Sequence, residues 1–178
     1  NVTPAPFSVR IFLQDGHADG VKIVARSKWP GRALVIPRTS LADEVTRPEL
    51  RVPGVYILVG PVVEDSLQPI SIGSAERLCD ALEEEDHQQR FWDRVVVFAS
   101  KANGLTLAQA EYLESCLKRL AVKGGKANIN KLDRVKAPVL EEAAQADTEL
   151  FLEHILSLCP LLGIAVFDEV KAGQTKEQ

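Results

Sequence analysis

Thr106 and Gln109 stand three residues apart at the head of an apolar series, Ala110, Leu113, Leu117, Leu120 and Ala121, which stops at Gly124-Gly125. The threonine can accept from the backbone three residues on while the glutamine reaches back, so the pair reads as a capping box. The spacing therefore predicts a long helix with a glycine stop. Such a helix must bury its apolar stripe against other elements. One residue on that stripe is out of place. Glu114 lies four residues after Ala110 and three before Leu117, on the inward side. An uncompensated buried carboxylate is expensive, so Glu114 calls for a cation, hydrogen-bond donors or a cleft. The plain alternative is an edge-of-core glutamate paired with a lysine. Glu111, one turn earlier, is the rival for any functional role.

The partners of this helix are legible in the flanking runs. Ser8 to Leu13 and Val21 to Arg26 alternate with period two around the turn residues Gln14 to Gly20, which predicts a hairpin. A further strand, Ala33 to Ile36, follows Trp29-Pro30-Gly31, and a short helix is expected from Ser40 toward Val45. Pro53-Gly54 opens the apolar strand Val55 to Val59, which Gly60-Pro61 closes. Ile70-Ser71-Ile72 is the next strand, and a helix is expected to begin at Gly73-Ser74. Its stripe is Ala75, Leu78, Cys79 and Leu82. That helix ends in Glu83-Glu84-Glu85-Asp86, four acids against the negative end of its own dipole, so its terminus must fray or find basic neighbours. Arg94 to Ala99 predicts a third strand, 147–158 an acidic helix, and Gly163 to Phe167 a final strand.

Cys79, Cys116 and Cys159 form no CxxC or Cys/His cluster and fall among leucines at helical spacing, which reads as free thiols in the core. His17 sits in a turn and His154 among apolar positions, without a second histidine spaced to make either a metal ligand. There is no phosphate-binding GxxxxGK[ST], no GxSxG and no HExxH.

The chain has 178 residues, 46% of them hydrophobic, a length that favours one compact domain with decorations. No apolar run approaches the ~18 residues that span a bilayer, and no charged-then-apolar leader opens the chain, so a soluble, cytoplasmic protein is expected. The absence of Met even at residue 1 suggests a processed or trimmed N-terminus.

A net charge of −4 argues against a nucleic-acid partner until it is divided along the chain. Residues 1–60 carry 8 basic and 5 acidic side chains, 61–100 carry 3 and 9, 101–137 carry 8 and 3, and 138–178 carry 2 and 8. One basic stretch thus lies between two acidic ones. Its Lys-Gly-Gly-Lys-Ala-Asn-Ile-Asn-Lys core, 123–131, has the flexibility to follow a phosphate backbone, which makes Lys101, Lys126, Asn128, Asn130 and Lys131 candidate nucleic-acid contacts. A solvated loop is the alternative.

Gly54-Val55-Tyr56, Ser71-Ile72-Gly73-Ser74, Glu114 within Tyr112 to Leu117, and Asn128-Ile129-Asn130 occur in an order that resembles the GIY-YIG nuclease superfamily. The resemblance covers about residues 52–130. Ile11 to Leu13, Val35 to Arg38 and Leu161 to Gly163 look like the flanks of a group of bacterial proteins that carry this domain between N- and C-terminal extensions. The resemblance implies an α+β fold: a small three-stranded mixed or antiparallel sheet flanked by helices. The expected organisation is an N-terminal β-rich extension (1–51), the core (52–137), a C-terminal helix-strand extension (138–170) and a disordered tail (171–178).

The resemblance also implies metal-assisted cleavage of a DNA phosphodiester. Two tyrosines would flank the phosphate and help to orient or deprotonate the attacking water. An arginine would stabilise charge on the phosphorane, and a glutamate would hold one divalent ion, Mg2+ or Mn2+. Tyr56 matches the first tyrosine and Glu114 the metal-binding glutamate, while Asn128 or Asn130 matches a late asparagine. The second tyrosine is Ser71 here, the arginine position is Ala81, and a position often occupied by histidine is Glu85. Losing the phosphate-clamping cation alone removes about 3 kcal/mol of transition-state stabilisation. Arg77, one turn before Ala81, is the candidate to take over as a catalytic cation, with His87 and Lys101 further off.

Three readings follow. The expected function is a nuclease-like protein with a degenerate site, impaired or silent in cleavage, that retains nucleic-acid binding. The alternatives are an active endonuclease with a rearranged site of Tyr56, Arg77 and Glu114, and a protein-interaction module or homo-oligomer built on the same scaffold. No membrane partner is expected.

Overall fold

The computed structural model describes residues 5–64, 66–101, 104–129 and 137–167. Seven strands form one mixed sheet: β1 (Val9–Leu13), β2 (Lys22–Arg26), β3 (Gly31–Pro37), β4 (Gly54–Val59), β5 (Gln68–Ala75), β6 (Arg94–Ser100) and β7 (Ala127–Ile129). Their spatial order is β1-β2-β3-β6-β4-β5-β7. All neighbours are antiparallel except β5 and β7, which run parallel. The helices are α1 (Leu41–Glu44), α2 (Leu78–Gln88), α3 (Leu107–Gly124) and α4 (Glu142–Leu158). The class is α+β, as expected, but the small three-stranded sheet is corrected to seven strands. The N-terminal hairpin does not stand apart, because β3 pairs with β6 over seven residues, Gly31 with Ser100 through Pro37 with Arg94.

The central position of β4 explains its composition. All six of its residues are buried, since it pairs with β5 and β6 and is covered on both faces. Val55, Ile57 and Val59 join Val96, Phe98, Ile70 and Ile72 beneath α3 and α4, where Leu113, Leu117, Ile155 and Leu158 close the layer. Tyr56 and Leu58 point the other way, into a second layer with Leu34, Ile36, Val95, Val97, Leu78, Leu82 and Trp92. Alternation along each strand thus feeds two cores separated by the sheet.

The capping box at α3 forms as its spacing predicts. Gln109 N donates to Thr106 Oγ1 at 3.1 Å and Thr106 N to Gln109 Oε1 at 2.9 Å. Gly125 ends the helix with φ +65°, the left-handed conformation that glycine adopts without strain. The acidic end of α2 does have a basic neighbour: Arg38 donates to Asp86 Oδ1 at 2.7 Å and to the Asp86 carbonyl at 2.7 Å. The three cysteines are buried free thiols. His17 is exposed in its turn, and His154 lies 6.2 Å from the Trp29 ring, where burial lowers its pKa.

Two element boundaries are corrected. Residues Gly73 to Ala75 extend β5 rather than opening a helix, because their ladder with β4 continues to Gly54 opposite Ala75. Gly163 to Phe167 forms no strand: Ile164 and Val166 are buried, so the apolar alternation that suggested a ladder serves the core below α4 instead. The acidic helix also starts earlier than expected, at Glu142. Residues 171–178, expected as a tail, lie outside the described residues. No described helix is long and apolar enough to cross a membrane.

Candidate functional site

Tyr56 leaves β4 toward the α2 layer, directly across the ladder from Gly73 of β5. The glycine is what makes room for it. A Cβ at residue 73 would stand 2.4 Å from both Cζ and the hydroxyl oxygen of the phenol. The ring therefore lies flat against β5, and its hydroxyl donates to Glu85 Oε1 on α2 at 3.4 Å. The other oxygen of Glu85 accepts from the Gln89 amide, which lies 3.5 Å from Ser71 Oγ. Tyr56, Glu85, Gln89 and Ser71 thus form one polar chain on this face of the sheet.

Burial, foremost, and the Glu85 carboxylate hold the Tyr56 proton well above the ordinary phenol value of 10.0, and Glu114 and Glu84 add to the rise. A phenol so held is a poor base for an attacking water. At the position where the family resemblance implies a histidine, Glu85 instead supplies a carboxylate that takes up the tyrosine's hydrogen bond.

Glu114 occupies the opposite face. Ile70 and Ile72 of β5 point toward α3, and Ser74, next in that alternation, points there too. Ser74 Oγ donates to Glu114 Oε1 at 2.8 Å, and Lys118 Nζ, one helical turn on, donates to Glu114 Oε2 at 3.0 Å. Only 8% of the Glu114 side chain and 11% of the Lys118 side chain are exposed. The requirement for a cation and donors is met from within the chain, by the lysine pairing of the plainer reading.

Arg77 does not join either group. Because β5 runs on to Ala75, Arg77 is the extended residue that caps α2 and is not one turn inside it. Its side chain is 56% exposed and its ion-pair partner is Asp80, at 3.8 Å. Ala81 is half-buried against the α2-side core. Lys101 and Lys126, grouped by the sequence, stand at opposite ends of α3, an 18-residue helix about 27 Å long. Lys126 and Asn128 are exposed beside β7, while Asn130 and Lys131 lie outside the described residues. His87 is exposed near the end of α2.

A divalent ion at Glu114 requires open carboxylate lone pairs and further oxygen ligands. Both Glu114 oxygens are engaged, one of them by a buried ammonium that would repel a dication at contact distance. Among the described residues no group of three or more His, Cys, Asp or Glu is placed to hold a metal. The residues present do not fit Mg2+ or Mn2+. Lys118 and Gln89, the two residues that decide this arrangement, were not among the sequence candidates. The i, i+4 spacing of Glu114 and Lys118 was the available signal for the first; for the second there was none.

Comparison with protein-family models, with curated proteins and with solved structures finds no match for this chain.

Proposed function

We propose that this chain is a GIY-YIG nuclease-like domain that binds nucleic acid and is silent in metal-dependent cleavage. The observation that carries the reading is the buried ammonium of Lys118, 3.0 Å from Glu114 Oε2, at the carboxylate that would hold the ion. Three further features support it. Tyr56 donates its hydroxyl hydrogen bond to Glu85 and is held protonated, Arg77 turns to Asp80, and Ser71 brings a hydroxyl where a phenol is implied. The residues that would bind a polyanion are a different set: Lys123, Lys126 and Asn128, exposed where α3 ends and β7 begins. Phosphate contacts there need no metal and no catalytic geometry.

The test uses the full chain with supercoiled plasmid and Mn2+. No nicking is expected, from wild type or from Glu114→Gln, and the electron paramagnetic resonance signal of free Mn2+ is expected to be unchanged by the protein. Duplex binding is expected at about 50 mM salt, falling steeply by about 200 mM, and weakened by Lys123→Glu with Lys126→Glu. Nicking that Glu114→Gln abolishes overturns the silent site. Absence of binding at the lower salt overturns the nucleic-acid reading and leaves the interaction module.

A further inference from the structure

Strand β1 ends the sheet on its long side, and its residues are exposed to an unusual degree for their chemistry. Ile11 is 45%, Phe12 55% and Leu13 37% exposed, and Arg10 is the strand's one charge. Sheet edges are ordinarily protected by short length, lysines, prolines or bulges. Among the described residues β1 has no lysine, proline or bulge, its one charge is Arg10, and its ladder with β2 is unbroken from Val9 opposite Arg26 to Leu13 opposite Lys22.

The orientation of its free backbone groups follows from the bonds at the two ends of that ladder. Gln14 N donates to Val21 O at 3.1 Å, and Ser27 N donates to Ser8 O at 3.0 Å. Antiparallel pairs alternate between bonded and non-bonded, so Ser8, Arg10, Phe12 and Gln14 turn their peptide groups to β2. Val9, Ile11 and Leu13 therefore turn their N–H and C=O groups outward.

We infer that β1 is a homodimer interface, in which the β1 strands of two copies pair antiparallel about a two-fold axis through Ile11. In this register Ile11 faces Ile11, and Val9 faces Leu13 of the second copy. Each of these is a residue with outward peptide groups, so each pair exchanges two backbone hydrogen bonds. On one face Val9, Ile11 and Leu13 of both copies become a continuous apolar strip. On the other, Arg10 comes opposite Phe12 of the second copy, a cation–π pair repeated by symmetry. The same chemistry already operates next to the strand, where the Arg26 guanidinium lies 3.9 Å above the Phe7 ring.

The neighbouring registers are worse matched. Shifting the axis to Arg10 sets the two arginines directly opposite each other, and like charges across a ladder are destabilising. Shifting it to Phe12 leaves Val9 beyond the paired strand. The occupant that this edge fits best is thus its own copy. The pairing area of one five-residue strand is at the small end for specific interfaces, so the dimer is a concentration-dependent one.

Sedimentation velocity of the full chain at about 100 µM is expected to give a mass of twice 19.5 kDa, with dissociation on dilution. Ile11→Lys places two ammonium groups on the axis and is expected to give a monomer with unchanged far-ultraviolet circular dichroism, since the side chain is exposed. Phe12→Glu sets a carboxylate opposite Arg10 and is expected to keep the dimer, whereas Arg10→Glu combined with Phe12→Glu sets like charges opposite and is expected to lose it. Ile11→Cys treated with a short bis-maleimide is expected to give a covalent dimer, because bonded antiparallel pairs have Cα atoms about 5.5 Å apart, within reach of the cross-linker. A wild-type monomer at that concentration, or a dimer that persists in Ile11→Lys, overturns the proposal. So does a dimer that Phe12→Glu and the double variant affect alike.

Discussion

Tyr56 joins the backbone of β5 to the acids of α2, and its proton is the most perturbed feature of the site. In the unfolded chain the phenol ionises near its ordinary 10.0, while in the fold burial and Glu85 keep it protonated above that value. The native state therefore binds more protons than the unfolded state as pH rises past 10. Stability is expected to be independent of this group below that pH and to fall above it, with a slope of at most about 1.4 kcal/mol per pH unit. Tyr56→Phe keeps the ring against Gly73 and removes the ionisable hydroxyl, so urea denaturation of the variant should show a shallower alkaline decline. An unchanged slope would assign the decline elsewhere, Tyr112 being the other phenol held above its ordinary value, by burial first and then by its hydrogen bond to Glu149. At this scale the inward position of Glu114 was legible from its spacing. The identity of its partner was not decided there, because a helical i+4 lysine can equally well reach into solvent.

Helix α2 carries its acids at the wrong end for its dipole, and Arg38, 48 residues before Asp86, corrects this. The guanidinium bonds the Asp86 side chain and carbonyl, donates to the Trp92 carbonyl at 3.2 Å, and lies 4.4 Å from the Trp92 ring centroid. Arg38→Ala is expected to destabilise the protein by about 1–2 kcal/mol in urea melts, allowing for partial exposure of the pair. Arg38→Lys should recover only part of this, because an ammonium cannot serve three acceptors and stack as the planar fork does. A variant as stable as wild type would show that α2 does not depend on this contact. The need for a basic neighbour followed from the run of acids alone. Which residue met it depended on β3 leading its last residues alongside the end of α2. The start of α2 was missed for a related reason: Gly73 and Ser74 resemble a helix entry in isolation, but Gly73 is held in the ladder by the ring of Tyr56 opposite it, and Ser74 by Glu114.

In the whole molecule the seven-residue ladder between β3 and β6 makes the N-terminal strands part of the central sheet. Ala33, Leu34, Val35 and Ile36 are all buried, two on each side of the sheet. A chain beginning at residue 52 would expose the β6 edge and the apolar side chains these four cover, and it is expected not to fold. Amide chemical-shift dispersion would check this; well-dispersed signals would establish 52–178 as an independent unit. From the sequence alone came most strands, the capped helix α3, the core cysteines and the inward carboxylate, because periodicity, caps and turn residues act over a few neighbours. Tertiary structure alone decided that the sheet has seven strands, that Gly163 to Phe167 packs without a ladder, and that Tyr56 and Glu114 approach β5 from opposite faces. It also set the Lys118 ammonium on the Glu114 carboxylate. Each of these depends on which distant segments meet, and strand pairing, burial and charge compensation are properties of that meeting, not of local sequence.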